Sequence, residues 1–251
     1  MLTTCHYIAG GMTRLVVATR NGNKLQEIRA ILGRCCQYLA LNDFPEAPKT
    51  VEDADTFAGN AMKKAIELAQ WLATHSILDL RPSAVFVLAD DSGLEVDALA
   101  GAPGVYSARF AAGGVNAGGL AESLTGNSAD ADNNTKLLRL LNEVPWENRT
   151  ARFRCVLALT PVLTTTQAVS SPVCYAEECE LQTELFEGVC DGRIGFALRG
   201  HGGFGYDPIF IPDGHEQSFA GLGEEVKNRI SHRARALTKL RERLLTQRST
   251  A

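Results

Sequence analysis

The sequence predicts a protein that mixes β-strands and α-helices around one continuous core, of the α/β or the α+β class. Short apolar runs typical of buried strands alternate along the chain with segments whose apolar residues recur at helical spacing. The chain has 251 residues, of which 45% are hydrophobic and 22% are charged. Such a composition is ordinary for a globular enzyme, and the length allows a sizeable core in one large domain or two small ones.

The first half of the chain predicts two strands and two helices. Residues 15–18 form an apolar run, followed by a polar turn and a helix that ends at Gly33. A second helix is expected at about residues 60–72, after the acidic turn VEDADTF. Residues 85–89 are uniformly apolar and predict a short buried strand that ends at Asp90.

The second half combines loops with shorter elements. Residues 111–134 are rich in Gly, Ala, Asn and Ser, which predicts a flexible surface insertion. The other expected elements are a helix at 135–141, a strand at 152–159, a loop or hairpin tip at 160–171, paired strands at 180–186 and 188–194, a glycine-rich loop at 199–213 and a helix at 231–245.

Composition argues against several classes of function. The formal net charge of −4 offers no overall basic field for a nucleic acid polymer. No apolar run reaches the length of a membrane span. The seven cysteines are odd in number and lack zinc-ligand spacing, so we expect reduced thiols in a cytoplasmic protein. Residues 1–12 lack the features of a signal peptide and are interpreted as an N-terminal extension.

Adjacent carboxylates mark the first candidate site. Asp90 and Asp91 follow the buried strand directly, where an acid is costly unless it binds a cation or hydrogen-bond donors. Open α/β sheets bind ligands at that edge. Together with the acidic residues of segment 52–55, these carboxylates suit a hard cation such as Mg²⁺. The alternative for segment 52–55 is acidic capping of the helix that follows it.

Three further segments have side chains suited to a nucleotide. The turn at 19–24 combines a helix N-terminus with Lys24, which suits phosphate, although a plain turn with a solvated lysine is the alternative. The segment RGHGGFGYDP offers glycines and two aromatic faces for a purine base, or else a tight loop with its aromatics in the core. The basic run at 227–233 suits phosphate or base edges, or else is a solvated face with Ser231 as helix cap.

Taken in order, the motifs of the chain resemble one known family. They are T-R-N-x-x-K, T-F-x-x-N-A-x-x-K-A, A-D-D-S-G-L-E-V-D-A-L-x-G-x-P-G-V-Y-S-A-R-F, G-F-G-Y-D-P-I-F and K-x-x-I-S-H-R. This set is similar to the Ham1/RdgB inosine triphosphate pyrophosphatases, which act on non-canonical purine nucleoside triphosphates. The resemblance covers nearly the whole chain.

The resemblance implies both a fold and a reaction. The fold would be α/β, with an elongated mixed β-sheet flanked by helices and two lobes around a central substrate cleft, in a homodimer. The reaction would be Mg²⁺-dependent hydrolysis of ITP, dITP or XTP to the monophosphate and pyrophosphate, which cleanses the nucleotide pool. Residues 13–245 would form a single domain, and segments 111–134 and 160–183 look longer than is usual in the family, as surface insertions would.

The resemblance also carries over site residues. Thr19, Asn21 and Lys24 match the family's phosphate loop, and Lys64 matches a lysine that reaches the phosphates. Glu52 and Asp91 match its metal-binding carboxylates, with Asp53 as the alternative to Glu52, and Asp91 also matches its proton acceptor. The matching substrate-contacting positions are Ser92, Phe204, Gly205, Tyr206, Asp207, Lys227, His232 and Arg233.

Two other functions remain open at this point. One is a Maf-like nucleotide pyrophosphatase with a different base specificity. The other is a nucleotide-binding module without catalysis, although binding alone does not require a positioned base such as Asp91 beside Lys24 and Lys64.

Overall fold

A computed structural model describes residues 12–75, 84–112, 127–163, 180 and 182–249 of the chain. Within these residues the strands are β1 (Arg14–Val17), β2 (Gln37–Ala40), β3 (Val85–Val96), β4 (Thr150–Pro161), β5 (Glu184–Ile194) and β6 (Phe210–Pro212). The α-helices are α1 (Gly22–Leu32), α2 (Phe57–Thr74), α3 (Asp130–Leu140), α4 (Phe219–Leu222), α5 (Glu224–Ile230) and α6 (His232–Ser249).

The described strands form one mixed sheet, in the order β2-β1-β3-β4-β5-β6. β1 pairs in parallel with both β2 and β3, and the register places Leu15 beside Tyr38 and Phe86. β5 and β6 pair antiparallel. Helix α1 connects the parallel neighbours β1 and β2, and α2 leads from β2 to β3 on the other side of β1. The fold is therefore α/β, and the predicted mixed sheet flanked by helices is confirmed.

The chain divides into two compact units. The first unit comprises Met1–Asp91, Val156–Phe186 and Ala236–Ala251, and the second comprises Ser92–Cys155 and Glu187–Arg235. The division falls within β3, β4 and β5. The single-domain limits predicted from the sequence stay a prediction.

Local sequence accounts for the helix ends. The side chain of Asn21 accepts hydrogen bonds from the backbone N–H groups of Asn23 and Lys24 and so starts α1. Gly33 ends α1 with φ of 62°, a positive value that glycine adopts without strain. Ser231 was expected to cap the last helix, and its Oγ accepts from the N–H of Ala234 at 3.2 Å.

Three predicted elements differ from the structure. β3 does not end at Asp90 but continues to Val96, because Leu94 and Val96 remain fully buried. The two strands predicted at 180–194 are one strand, β5, in which Gly192 sits against the backbone of β6 where a side chain would not fit. Glycine therefore marks a close backbone approach here, not a turn.

Parts of the two predicted insertions belong to regular elements, and the insertions themselves stay a prediction. Residues 130–134 belong to α3, whose Asn133 and Asn134 are buried, and residues 160–161 belong to β4. The structure does not describe the rest of these segments, residues 113–126, 164–179 and 181, nor residues 1–11. No membrane-spanning segment is found among the described helices.

The thiols in the described part of the chain are buried and form no disulfide. They are Cys35, Cys36, Cys155 and Cys190. Burial raises the pKa of Cys190 to about 11. Such a thiol is protonated near neutral pH, as in a structural cysteine.

Arg149 joins three segments of the second unit. Its side chain is only 1% exposed, and it donates to the carbonyls of Leu141 at 2.6 Å, Ile194 at 2.8 Å and Gly195 at 2.8 Å. The guanidinium also lies 4.4 Å from the ring centroid of Phe196. These carbonyls are polar groups near the end of β5 and after α3, and Arg149 satisfies their need for a donor.

We predict that Arg149→Met lowers the free energy of unfolding by about 3 kcal/mol or more, because several buried carbonyls lose their donor. Urea denaturation would measure this loss. Arg152→Met is the matched control, since Arg152 makes a half-exposed ion pair with Asp97 and its loss should cost less than about 1 kcal/mol. Equal losses in the two variants would contradict the structural role of Arg149.

Candidate active site

The two adjacent acids lie within β3, in the first unit, and both are buried. Asp90 is 4% exposed and Asp91 is 6% exposed. Carboxylates at this depth require cations or several donors, because desolvation of an isolated charge is costly. The surrounding lysines supply that compensation.

Lys24 is the partner of Asp90. It lies in the first turn of α1, and its Nζ contacts Asp90 Oδ1 as an ion pair. The side chain of Lys24 is 18% exposed. It is therefore not the solvated lysine of a plain turn, which was the alternative from the sequence.

Lys64 connects the remaining acids. Its Nζ donates to Asp91 Oδ1 at 2.9 Å and to the Asp90 carbonyl at 2.8 Å, and it lies 3.5 Å from Glu52 Oε1. Asn60, one turn earlier on α2, donates from Nδ2 to Asp91 Oδ2 at 3.3 Å. Residues four apart share a helix face, so α2 presents both donors to Asp91.

Burial and charge compete in setting the pKa values of this cluster. Burial raises the pKa of Asp91, although the positive charges of Lys64 and Lys24 act in the opposite direction. Burial lowers the pKa of Lys64, but Asp91 and Glu52 outweigh it, and the net shift is upward. Lys64 is therefore held in its charged form by its carboxylate neighbours.

Glu52 and Asp91 both face the ammonium group of Lys64, whereas Asp53 does not. Asp53 is exposed and instead pairs with Lys63 at 2.6 Å. Among the described residues, no three His, Cys, Asp or Glu side chains form a ready-made metal cage. Mg²⁺ does not require one, since it binds through one or two carboxylates together with substrate phosphates. Glu52 and Asp91 fit that donor set, because their oxygens already face one ammonium group.

Backbone N–H groups at the start of α1 already donate to side chains of the preceding turn. Thr19 Oγ1 accepts from the N–H of Asn21 at 3.1 Å, and Asn21 Oδ1 accepts from the N–H groups of Asn23 and Lys24 at 2.9 and 3.3 Å. Two backbone donors that were expected to face a phosphate are thus already satisfied by the helix cap. The ammonium of Lys24 is the stronger phosphate-binding feature of this turn.

In the second unit, a glycine–aromatic loop (residues 203–207) is built around Asp207. Asp207 Oδ2 accepts from the N–H of Phe204 at 2.8 Å and from Lys227 Nζ at 2.6 Å. Gly203, with φ of 77°, lies so close to the Asp207 side chain that a Cβ would not fit there. A buried ion pair thus sets the shape of the loop.

Two basic side chains lie near the ring of Phe204. Lys227 Nζ is 4.2 Å from the ring centroid and the Arg233 guanidinium carbon is 5.8 Å from it. Arg233 is buried and donates to Ser92 Oγ at 2.8 Å. Phe204 is half-buried, so it presents an aromatic face next to fixed hydrogen-bond donors.

Tyr206 and His232 pack more deeply than the predicted substrate contacts would require. Tyr206 is 4% exposed, and its hydroxyl donates to the Ser107 carbonyl at 2.9 Å. His232 is 4% exposed and stacks on Phe153 with ring centroids 4.7 Å apart. For Tyr206 the structure follows the core alternative, so its hydroxyl anchors the glycine–aromatic loop.

Three polar residues at these sites were not predicted from the sequence. Asn60 lies within the motif T-F-x-x-N-A-x-x-K-A, and its spacing of four from Lys64 was the available signal. Asp130 and Asn134 fell in the predicted insertion. In the structure they bind the backbone of Gly205, at 2.6 and 2.9 Å. Their spacing of four, followed by Leu137 and Leu141, was the helical signal that the small residues around it concealed.

The fold and these clusters define an α/β protein equipped for anionic ligands, and comparison with known proteins then identifies the family. The model of the Ham1 family matches residues 15–243, and the chain belongs to this family.

Relatives of known name and structure agree with that assignment. A dITP/XTP pyrophosphatase of Desulforamulus reducens is 42% identical, over 91% of this chain and 94% of its own. One of Geobacter sulfurreducens is 43% identical, over 93% and 97%. A HAM1 protein structure from Coxiella burnetii superimposes with a TM-score of 0.70 at 32% identity, covering 94% of this chain and all of its own.

We predict that Lys227→Met destabilises the protein by about 3–5 kcal/mol, because Asp207 would remain buried without its cation. Thermal or urea unfolding would measure this. Asp207→Asn in the same chain should restore part of the loss by removing the unpaired charge. Arg229→Met on the same helix is the control: its ion pair with Glu225 is exposed and long, at 3.9 Å, so stability should stay unchanged. A loss in the control as large as in Lys227→Met would contradict this account.

Proposed function

We propose that this protein hydrolyses inosine- and xanthosine-type nucleoside triphosphates (ITP, dITP and XTP) to the nucleoside monophosphate and pyrophosphate. The α–β phosphoanhydride bond breaks, and water supplies the new oxygen of the monophosphate. The proposal follows from membership of the Ham1 family and from relatives that are named dITP/XTP pyrophosphatases. Neither a Maf-like specificity nor binding without catalysis is favoured by any of the observed contacts.

The observation that carries the proposal is the cluster around β3. Segments far apart in sequence bring three side chains to Asp90 and Asp91: the first turn of α1 supplies Lys24, the acidic turn before α2 supplies Glu52, and α2 supplies Lys64. The lysines and carboxylates of such a cluster can give up their ion pairs with one another and bind a triphosphate and a divalent cation instead. The lysines then face phosphate oxygens, and the carboxylates face the cation.

Glu52 and Asp91 would hold Mg²⁺. When bound, the cation neutralises triphosphate charge and helps to activate water. Metal dependence and the identity of the metal are part of the proposal, supported by the fit of these two carboxylates to the donor set that Mg²⁺ uses.

Each side chain of the cluster then has a defined task. Lys24 and Lys64 bind the phosphates and stabilise the charge that builds on the leaving pyrophosphate. Asp91 takes a proton from the attacking water. Asn60, which donates to Asp91 Oδ2, orients that carboxylate and is a positioning residue.

Base recognition belongs to the glycine–aromatic loop of the second unit. The half-buried ring of Phe204 offers a stacking face, and Lys227 and Arg233 lie beside it. Donors at fixed positions favour a keto oxygen at the purine 6-position, whereas the amino group of adenine leaves them unpaired. Ser92, which accepts from Arg233, is the residue that follows Asp91 in β3.

We further propose a homodimer that works on the cytoplasmic nucleotide pool. The exposed apolar side chains of Trp146, Phe196 and Leu198 in the second unit are surface that a second copy could cover. The buried thiols without disulfides fit a reducing compartment.

The substrate prediction is tested with a panel of nucleotides. Pyrophosphate release from ITP, dITP and XTP should exceed release from ATP and GTP by at least about tenfold to a hundredfold. For ATP the reason is that the 6-amino group of adenine leaves buried donors unpaired. Release should fall to background when Mg²⁺ is removed by a chelator and should return when it is restored. Comparable turnover of ATP would refute the proposed specificity.

The role of Asp91 is tested by a pair of isosteric variants. Asp91→Asn should keep the fold and lower kcat for ITP by about 10²–10⁴-fold, since the proton acceptor and one charge on the cation disappear. Asp90→Asn removes the neighbouring charge, and circular dichroism checks the fold of both variants. If Asp90→Asn is the more impaired variant and Asp91→Asn is active, the proton acceptor is Asp90 and the proposed assignment is wrong.

A further inference from the structure

Helix α3 holds the peptide groups on both sides of Gly205. The carboxylate of Asp130 accepts from the Gly205 N–H at 2.6 Å, and Asn134 Nδ2 donates to the Gly205 carbonyl at 2.9 Å. Residues 130 and 134 are four apart, so one face of the first turns of α3 presents an acceptor and a donor together. Gly205 has no side chain and has φ of 62°, so backbone contacts determine its position.

Burying the amide of Asn134 costs folding free energy, and its contact with Gly205 offsets that cost. The residue is 3% exposed, and its Oδ1 is buried and accepts no hydrogen bond from the described residues. A buried acceptor without a donor destabilises the folded state, whereas an apolar side chain at this position would pack without that cost. Retaining the amide here is therefore explained by its donation to Gly205.

The same helix also holds the segment before it. Asn133 Oδ1 accepts from the Ala111 N–H at 2.7 Å, and Lys136 Nζ donates to the Phe110 carbonyl at 2.5 Å. α3 is anchored on this side, so it can serve as a fixed support for the glycine–aromatic loop. Gly205 directly follows Phe204, and a displacement of one moves the other.

We propose that Asp130 and Asn134 form a clamp, the α3 clamp, that positions Phe204 and thereby determines discrimination between purine bases. Both are positioning residues that act through the backbone of Gly205. This inference rests on the proposed function, because the base is taken to stack on Phe204. When the clamp is lost, a purine base can still stack on Phe204. The ring of Phe204 no longer holds that base at hydrogen-bonding distance from the donors of Lys227 and Arg233.

The kinetic test compares ITP with ATP in matched variants. Asp130→Ala should lower kcat/KM for ITP about tenfold, mostly through KM, and should lower it less for ATP, so that the ITP:ATP ratio narrows. Asp130→Asn keeps an acceptor oxygen and should rescue most of the effect. Asp132→Ala is the control, since it removes another acid from the first turn of α3, and its ratio should equal that of the wild type. Asn134→Asp keeps the size and removes the donor, and should act like Asp130→Ala.

Hydrogen exchange separates this inference from the proposed function. In nucleotide-free protein, the peptide that contains Gly205 should exchange faster in Asp130→Ala than in wild type or Asp132→Ala. Unchanged exchange would overturn the clamp, whether or not the enzyme cleaves ITP. Faster exchange with an unchanged ITP:ATP ratio would overturn its role in specificity. Failure of the wild type to cleave ITP would refute the proposed function, whereas the exchange result would still decide the clamp.

Discussion

Burial of two consecutive carboxylates inside β3 is the constraint on which the first unit depends. Each acid is ion-paired with a different lysine, although both lysines oppose the rise in the pKa of Asp91 that burial causes. Lys24 of α1 pairs with Asp90, and Lys64 of α2 pairs with Asp91. These pairings tie both helices to the strand. They also leave the acids dependent on neighbours that a charged ligand can replace.

Because of that dependence, the cluster is better suited to binding a charged ligand than to raising the free energy of unfolding. A buried ion pair is rarely more stable than apolar side chains of similar volume, because desolvation offsets its Coulomb energy. Polar groups that satisfy one another in the protein can, however, re-pair with phosphate and a cation at small additional desolvation cost. Asn60 adds a neutral donor to Asp91, so this carboxylate does not depend on Lys64 alone.

The second unit uses a buried ion pair for a different purpose. Asp207 receives both the Phe204 N–H and Lys227 Nζ, so the charge of the pair holds the backbone of the glycine–aromatic loop. Tyr206 anchors the same loop through the Ser107 carbonyl. An aromatic face next to fixed donors requires such a rigid loop, because recognition by hydrogen bonds fails when donors and acceptors shift by a fraction of their bond length.

Much of this molecule could be predicted from local sequence. The strand at 14–17, the helix that ends at Gly33 and the acids after the run at 85–89 followed from apolar periodicity and cap residues. The motif order predicted the family, and with it most of the candidate site residues. The extension of β3 to Val96 could not be predicted in this way, because acids inside a buried strand are excluded by local rules and permitted only by lysines distant in sequence.

What the sequence by itself determined was therefore the element types, the family and the kinds of side chain available for chemistry. Only the tertiary structure decided which of these side chains meet. Glu52, and not Asp53, lies beside the Lys64–Asp91 ion pair. Tyr206 is buried in the core. Residues 130–134, which were expected to belong to an insertion, form the start of the helix that contacts Gly205. The physical reason is that periodicity and capping act over one or two turns, whereas compensation of buried charges and peptide groups depends on partners brought together by packing.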